Sequence, residues 1–106
     1  MYQPLPKNLK LGKSDIHGYG LFADKVIKKG TTLGISHVAH DLFDNGWIRT
    51  PLGGFYNHSN TPNCHLENKH LNKNDTHVKI LVALKDIKVD EELTCFYTIW
   101  KMHLKE

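Results

Sequence analysis

The chain has 106 residues, a formal net charge of +3 at neutral pH and a hydrophobic fraction of 40%. A chain of this length fits one compact domain with a modest core, which excludes wholesale disorder. No run approaches the roughly 18 consecutive apolar residues that a membrane helix needs, and the first residues lack the apolar centre of a signal peptide. We therefore expect a cytoplasmic protein that forms one domain and does not enter a membrane.

The basic residues are spread along the chain, and Arg49 is the single arginine among the 14 lysines and arginines. A nucleic-acid-binding domain usually adds further arginines and exposed aromatic rings on one platform, so this pattern favours a solvated surface. Cys64 and Cys95 are too few for a disulfide framework, and we expect both to be reduced thiols.

The first third of the chain predicts a loose arm followed by two short strands. Residues 1–13 carry prolines and scattered lysines without a helix or strand period. Residues 16–23, Ile-His-Gly-Tyr-Gly-Leu-Phe-Ala, are typical of a strand with an irregular entry. A turn ending at Gly30, where glycine tolerates a positive φ, leads into a second strand over residues 31–38.

The phrase that contains this turn recurs sixty residues later and predicts a second strand-turn-strand unit. In the second unit Asp90 stands where Gly30 stands in the first, and aspartate also tolerates the left-handed region. The five identical pairs are Ala23 and Ala83, Lys25 and Lys85, Ile27 and Ile87, Lys28 and Lys88, and Leu33 and Leu93.

The remaining segments also indicate a mostly β domain. Residues 40–47 have room for one helical turn. Residues 66–76 are rich in asparagine and lack an apolar period, which predicts an exposed loop. Residues 78–84 form a nearly unbroken aliphatic run, which predicts a strand buried on both faces, and residues 93–97 predict the next strand.

Three segments are poorly explained as core. The first is Gly18-Tyr19-Gly20, which taken alone indicates only a turn. The second is residues 57–64, Asn-His-Ser-Asn-Thr-Pro-Asn-Cys, which has the composition of a loop. The third is residues 90–97, Asp-Glu-Glu-Leu-Thr-Cys-Phe-Tyr, an acidic turn that enters a strand ending in an aromatic hydroxyl.

In order and spacing these segments resemble the SET-domain family, whose signatures are a Gly-x-Gly segment, an Asn-His-Ser-x-x-Pro-Asn loop and a Gly-Glu-Glu-Leu-Thr-x-x-Tyr strand. The resemblance covers residues 14–100 and looks closest to small viral or microbial members without cysteine-rich flanks. It implies a mostly β, β-clip fold of several small sheets with a C-terminal pseudo-knot. The single domain 1–106 then divides at the following bounds: an arm at 1–13, an N-terminal SET part at 14–34, a short insert at 35–52, a C-terminal SET part at 53–100 and a tail at 101–106.

The resemblance also implies a protein-lysine methyltransferase that uses S-adenosylmethionine. Tyr97 matches the family's catalytic tyrosine, whose hydroxyl orients the methyl group and the incoming nitrogen, and Tyr19 would flank the transfer channel. Tyr56, Cys95 and Phe96 would contact the substrate. The implied cofactor-binding residues are Gly18, Tyr19, Gly20, Asn57, His58 and Trp100.

Departures from the family pattern concern the substrate side of the site. Cys95 stands two residues before the tyrosine, where the family often has an aromatic residue, and this predicts room for di- or trimethylation. The insert at 35–52 is short for a region that shapes the peptide groove. Since no cysteine follows Cys95 to hold a zinc ion, residues 98–106 or a second copy of the chain in a homodimer would close the lysine channel.

Several alternatives stay open beside this interpretation. Cys64, His65, His70 and His77 are clustered, but their spacing matches no standard zinc site and we expect no metal. The paired carboxylates Glu91 and Glu92 suggest acid-base chemistry, although a structural role for Glu92 is preferred.

In one interpretation, Trp47 and Arg49 belong to the rim of the substrate site. In the other, Trp47 only fills the core. The expected partner is a lysine-containing protein, whether histone-like, ribosomal or other, in the cytoplasm or in a host cell if the source is a virus. The alternative function is a noncatalytic SET-like module that binds a protein.

Overall fold

A computed structural model describes residues 5–40, 46–71 and 76–96. Over these ranges the chain forms short β-strands and a single 3-10 turn, which matches the mostly β expectation. The elements are β1 (Leu9–Lys13), β2 (Tyr19–Ala23), β3 (Thr32–Ala39), β4 (Trp47–Arg49), the 3-10 helix (Leu52–Gly54), β5 (Asn57–His58), β6 (Cys64–Leu71), β7 (Thr76–Ala83) and β8 (Glu92–Cys95).

The strands follow one another in the order β1-β2-β8-β6-β7-β3-β4, and β5 pairs with β8 outside this path. Most neighbours are antiparallel, but β5 and β6 each run parallel to β8. The last described strand therefore lies between elements from both halves of the sequence. The predicted pseudo-knot depends on the segment after Phe96, which lies outside the described residues.

The loose arm that the sequence predicts is wrong over residues 9–13, which form β1. This strand pairs with β2 along its whole length, from Leu9 opposite Ala23 to Lys13 opposite Tyr19. Leu9 is buried, whereas Lys10 and Leu11 are exposed. A strand with one buried anchor at the edge of a sheet has too little apolar alternation to be recognised from its own sequence.

The predicted loop over residues 66–76 is also wrong, because β6 continues through Leu71. It pairs with β7 in unbroken register from Cys64 opposite Ala83 to Leu71 opposite Thr76. Residues 67–70 are exposed, so the polar sequence of this strand is the result of a solvent-facing position. Residues 72–75, between the two strands, lie outside the described residues.

The strand predicted at residues 78–84 is confirmed as β7, in which Leu81, Val82 and Ala83 are buried in succession. Trp47 begins β4 instead of ending a helical turn, and the rest of that predicted turn falls largely outside the described residues. Within the described part of the chain, no helix is long and apolar enough to cross a membrane.

One core of buried apolar side chains joins the two halves of the chain. Each fully buried leucine or isoleucine contributes about 1.5–3 kcal/mol relative to an exposed one. The members with at most 2% exposure are Leu21, Ala23, Ile27, Cys64, Leu81, Ala83, Ile87, Leu93 and Cys95.

Candidate functional site

Strand β8 exchanges one pairing partner for another in its middle. Its first half pairs with β2, with Glu92 opposite Phe22 and Leu93 opposite Leu21. Its second half pairs with β5, with Asn57 opposite Thr94 and His58 opposite Cys95. The glycine segment and the Asn-His-Ser loop, forty residues apart in sequence, therefore flank the same short strand.

A hydrogen-bonded cluster occupies this exchange point. The Asn57 amide nitrogen Nδ2 donates to Glu92 Oε2 at 2.7 Å, to Ser14 Oγ at 3.0 Å and to the carbonyl oxygen of His17 at 3.1 Å. Ser14 Oγ lies 2.8 Å from both carboxylate oxygens of Glu92. Asn57 is 6% exposed, so these bonds form largely away from water, where they are stronger.

Gly18 and Gly20 are required for different reasons. Gly18 has φ +49°, a conformation that side chains rarely adopt, and the space around its α-carbon is open. Gly20 has no positive φ, but a β-carbon there would lie 2.3 Å from Glu92 Oε2 and 3.2 Å from Asn57 Nδ2. The absence of a side chain at Gly20 therefore makes room for the protein's own Glu92 and Asn57. The sequence predicts that it also lets the cofactor approach.

The structure brings four of the predicted site residues beside this cluster. Tyr19 lies between the two glycines with 64% of its surface exposed, so its ring is available to a ligand. The His58 ring is 4.9 Å from the Phe96 ring, centroid to centroid, and the backbone N–H of Ser59 donates to the Cys95 carbonyl. The predicted cofactor loop and the end of β8 are therefore in contact.

Two of the predicted substrate residues are buried. Tyr56 is 7% exposed, and its hydroxyl lies 3.2 Å from Ser36 Oγ, which also contacts His37 Nδ1 at 2.7 Å. Cys95 belongs to the core, and burial raises the pKa of its thiol to about 11. The contact of either residue with a substrate stays a prediction.

Tyr97 and Trp100, the predicted catalytic tyrosine and adenine contact, lie outside the described residues. Phe96 is the last described residue before them. Their roles stay predictions that rest on the sequence.

Three site residues were missed or given no role by the sequence analysis. Ser14 was missed because a serine in a turn carries no signal of a partner 78 residues away. For Glu92 the sequence favours a structural role but indicates no particular contact. Asn63, the last residue of the Asn-His-Ser-x-x-Pro-Asn string, binds the backbone of β8: its Nδ2 donates to the Glu92 carbonyl, and its Oδ1 accepts from the Thr94 amide. The motif itself was the available signal for Asn63.

The alternative sites can also be located. Among the described residues, no group of three or more histidine, cysteine or acidic side chains could hold a metal ion. Cys64 is buried, His65 contacts Glu67, and the rings of His70 and His77 lie 3.8 Å apart on the outer ends of β6 and β7.

A groove of about 400 Å³ contains none of the predicted site residues. Its lining consists of Leu5, Pro6, Lys7, Gly34, Ile35, Thr50 and Leu52.

Comparison with known proteins gives the same family as the motifs. The SET-domain family model matches residues 36–98, more than half of the chain, and the chain therefore belongs to the SET-domain family. No curated protein matches it.

A solved structure from Plasmodium falciparum, assigned as a histone methyltransferase, is 25% identical with a TM-score of 0.72, and the match covers 88% of this chain and 95% of that one.

Larger chains share the fold as well. An autoinhibited ctPRC2 structure bound to S-adenosylmethionine is 22% identical with a TM-score of 0.69, over 93% of this chain and 17% of that one. Chaetomium thermophilum Polycomb Repressive Complex 2 bound to GSK126 is 22% identical with a TM-score of 0.64, over 92% and 17%. This chain spans about one sixth of those larger chains.

Proposed function

We propose that this protein transfers methyl groups from S-adenosylmethionine to a lysine side chain of a protein substrate. The observation that carries the proposal is the contact of three family motifs at one point: Gly20, Asn57 and Glu92 meet within hydrogen-bonding or van der Waals distance.

The residues around the cluster suit the methionine part of the cofactor. Asn57 directs its amide nitrogen inward, so its side-chain oxygen is the atom left to accept a hydrogen bond from a ligand ammonium group. Tyr19 is exposed beside it and can cover a bound ligand. Bound here, the cofactor would supply an activated methyl group on a sulfonium.

The transfer itself is a direct displacement, which depends mainly on position. The neutral lysine nitrogen must lie in line with the methyl carbon at about 3 Å. A narrow apolar channel lowers the pKa of the lysine, because burial disfavours its charged form, and this helps to deprotonate the nitrogen. We assign the orienting hydroxyl to Tyr97, on the family pattern of a tyrosine five residues after Glu92.

The first experiment measures cofactor binding and methyl transfer separately. Calorimetry with S-adenosylmethionine should give micromolar affinity, on the order of −8 kcal/mol. Labelled cofactor added to a lysate or to histones should label a protein on lysine, and mass spectrometry should detect di- or trimethyl-lysine. If no binding is seen at millimolar S-adenosylmethionine, the proposed enzymatic function is wrong and the noncatalytic binding module is supported.

The second experiment tests the role of Tyr97. Tyr97→Phe should bind the cofactor normally but lose about a hundredfold or more in turnover, a size typical of lost transition-state orientation. Tyr2→Phe, the same change near the opposite end of the sequence, is the control and should retain full turnover. Normal turnover by Tyr97→Phe would show that the assignment is wrong.

A further inference from the structure

Glu92 connects both halves of the candidate cofactor site through one carboxylate. Its two oxygens accept from Ser14 Oγ at 2.8 Å each, and Oε2 also accepts from Asn57 Nδ2 at 2.7 Å. The same oxygen would be 2.3 Å from a β-carbon at Gly20, so that glycine allows the carboxylate to reach its partners. Ionised carboxylates only accept hydrogen bonds, and each neighbour here supplies a donor.

These contacts determine which way the Asn57 amide faces. Its Nδ2 meets a carboxylate oxygen and the carbonyl oxygen of His17, neither of which can donate. A flipped amide would bring Oδ1 against both acceptors at about the same distances and lose both bonds. The network therefore holds Asn57 as a hydrogen-bond acceptor toward any ligand.

The same carboxylate also supports the turn before the glycine segment. Ser14 Oγ accepts from the backbone N–H groups of Ile16 at 2.9 Å and His17 at 3.3 Å, and the Ser14 N–H donates to the Gly18 carbonyl at 2.8 Å. The Ser14 hydroxyl points its own hydrogen at Glu92. Removing that carboxylate would release the hydroxyl that organises the turn leading into Tyr19.

We infer that Glu92 is a positioning residue for ligand recognition: it holds the Asn57 carbonyl oxygen available to the ammonium group of the cofactor's amino acid end and fixes the turn that carries Gly18. The inference rests on the proposed function. It predicts that loss of the Glu92 carboxylate weakens the binding of ligands that keep the amino acid end more than the binding of ligands that lack it. A general disturbance of the loop would weaken both alike.

The test compares two ligands that differ at that end. S-adenosylhomocysteine carries the ammonium group, and methylthioadenosine lacks the whole amino acid end. Glu92→Gln leaves one acceptor oxygen for two donors and turns an N–H group toward the Ser14 hydroxyl, which already accepts two backbone N–H groups.

Because hydrogen bonds to charged groups contribute roughly twice as much as neutral ones, we expect about tenfold or more loss of S-adenosylhomocysteine affinity. The loss for methylthioadenosine should be less than about threefold, because this ligand lacks the ammonium group that the Asn57 oxygen would bind.

Glu91→Gln is the matched control. Glu91 is the neighbouring carboxylate, but it contacts Asn63 Nδ2 and the Lys88 N–H instead of the cluster, so both affinities should stay unchanged. Ser14→Ala should repeat the selective loss, and Ser14→Thr, which keeps the hydroxyl, should restore it. These two variants serve if Glu92→Gln does not fold, as judged by its circular dichroism and melting temperature.

The outcomes separate the inference from the function on which it rests. If the wild-type chain binds neither S-adenosylmethionine nor S-adenosylhomocysteine, both fall. If the wild type binds them and Glu92→Gln either binds normally or loses affinity equally for both ligands, the positioning role is overturned and the proposed function stands.

Discussion

Ile27 and Ile87, sixty residues apart, are reciprocal backbone partners. The N–H of Ile27 donates to the Ile87 carbonyl at 2.9 Å, and the N–H of Ile87 donates to the Ile27 carbonyl at 2.7 Å. The contacts around them repeat the symmetry: Ala23 donates to Glu91, and Ala83 donates to Thr31, both at 3.0 Å. The two similar units that the sequence predicts therefore pair with each other about this contact.

Substitution at this contact should affect the two units alike. Ile27 and Ile87 are at most 2% exposed, so changing either to valine should lower the free energy of unfolding by about 1 kcal/mol. Val26→Ala is the control, because Val26 is 57% exposed and its change should cost less than about 0.5 kcal/mol. Urea denaturation measures all three. If Ile27→Val and Val26→Ala lowered the free energy of unfolding equally, the Ile27–Ile87 contact would not be an important part of the core.

The turns of these units were predictable because they depend on local conformation. Gly30 has φ +87° and Asp90 has φ +67°, as expected for a position where glycine and aspartate replace each other. The motif contacts were predictable only through the family resemblance. Nothing in the local sequence links Asn57 to Glu92, because a side-chain contact between distant segments leaves no period.

Strands β1 and β6 could not be predicted for a different reason. A strand that exposes most of its residues, as β6 does at residues 67–70, has the composition of a loop. Its conformation comes from pairing with the apolar β7, where eight residue pairs lie in register and alternate pairs exchange backbone hydrogen bonds. Information about such strands lies in the partner's sequence.

Gly20→Ala should destabilise the protein even without a ligand. The added β-carbon would displace the Glu92 carboxylate and crowd Asn57, and crowding of this kind typically costs about 1–3 kcal/mol. Gly54→Ala is the matched control, since its β-carbon meets open space and its change should stay within about 0.5 kcal/mol. Thermal unfolding of ligand-free protein distinguishes them. If Gly20→Ala is as stable as Gly54→Ala, the glycine serves only the ligand.

His37 should make stability depend on pH below neutrality. Burial, together with the positive charges of Arg49 and Lys79, lowers the pKa of His37 from 6.5 to about 4. The folded state therefore binds fewer protons than the unfolded state between these values. Because of this group, the free energy of unfolding is highest above pH 6.5 and falls progressively as the pH drops from 6.5 to 4, by on the order of 2–3 kcal/mol.

A comparison of variants isolates this contribution from that of the carboxylates. His37→Asn keeps a polar atom for Ser36 but cannot take up the proton, so its free energy of unfolding should fall less steeply between pH 6.5 and 4. His17→Asn, at an exposed position, should keep the wild-type slope. Urea titrations at several pH values give the slopes. A wild-type slope for His37→Asn would refute the assignment.

Cys64 and Cys95 should resist thiol reagents while the protein is folded. Burial raises the pKa of the Cys64 thiol to about 12 and that of Cys95 to about 11, so almost none of either is thiolate, the reactive form, at pH 8. An aromatic disulfide reagent should react with both only in urea. Val26→Cys, at an exposed position, should add one thiol that reacts at once in native buffer. If the two natural thiols reacted as fast as the added one, the core around β8 would have to open in the folded protein. The pairing of β8 with β2 and β5 would then be only transient.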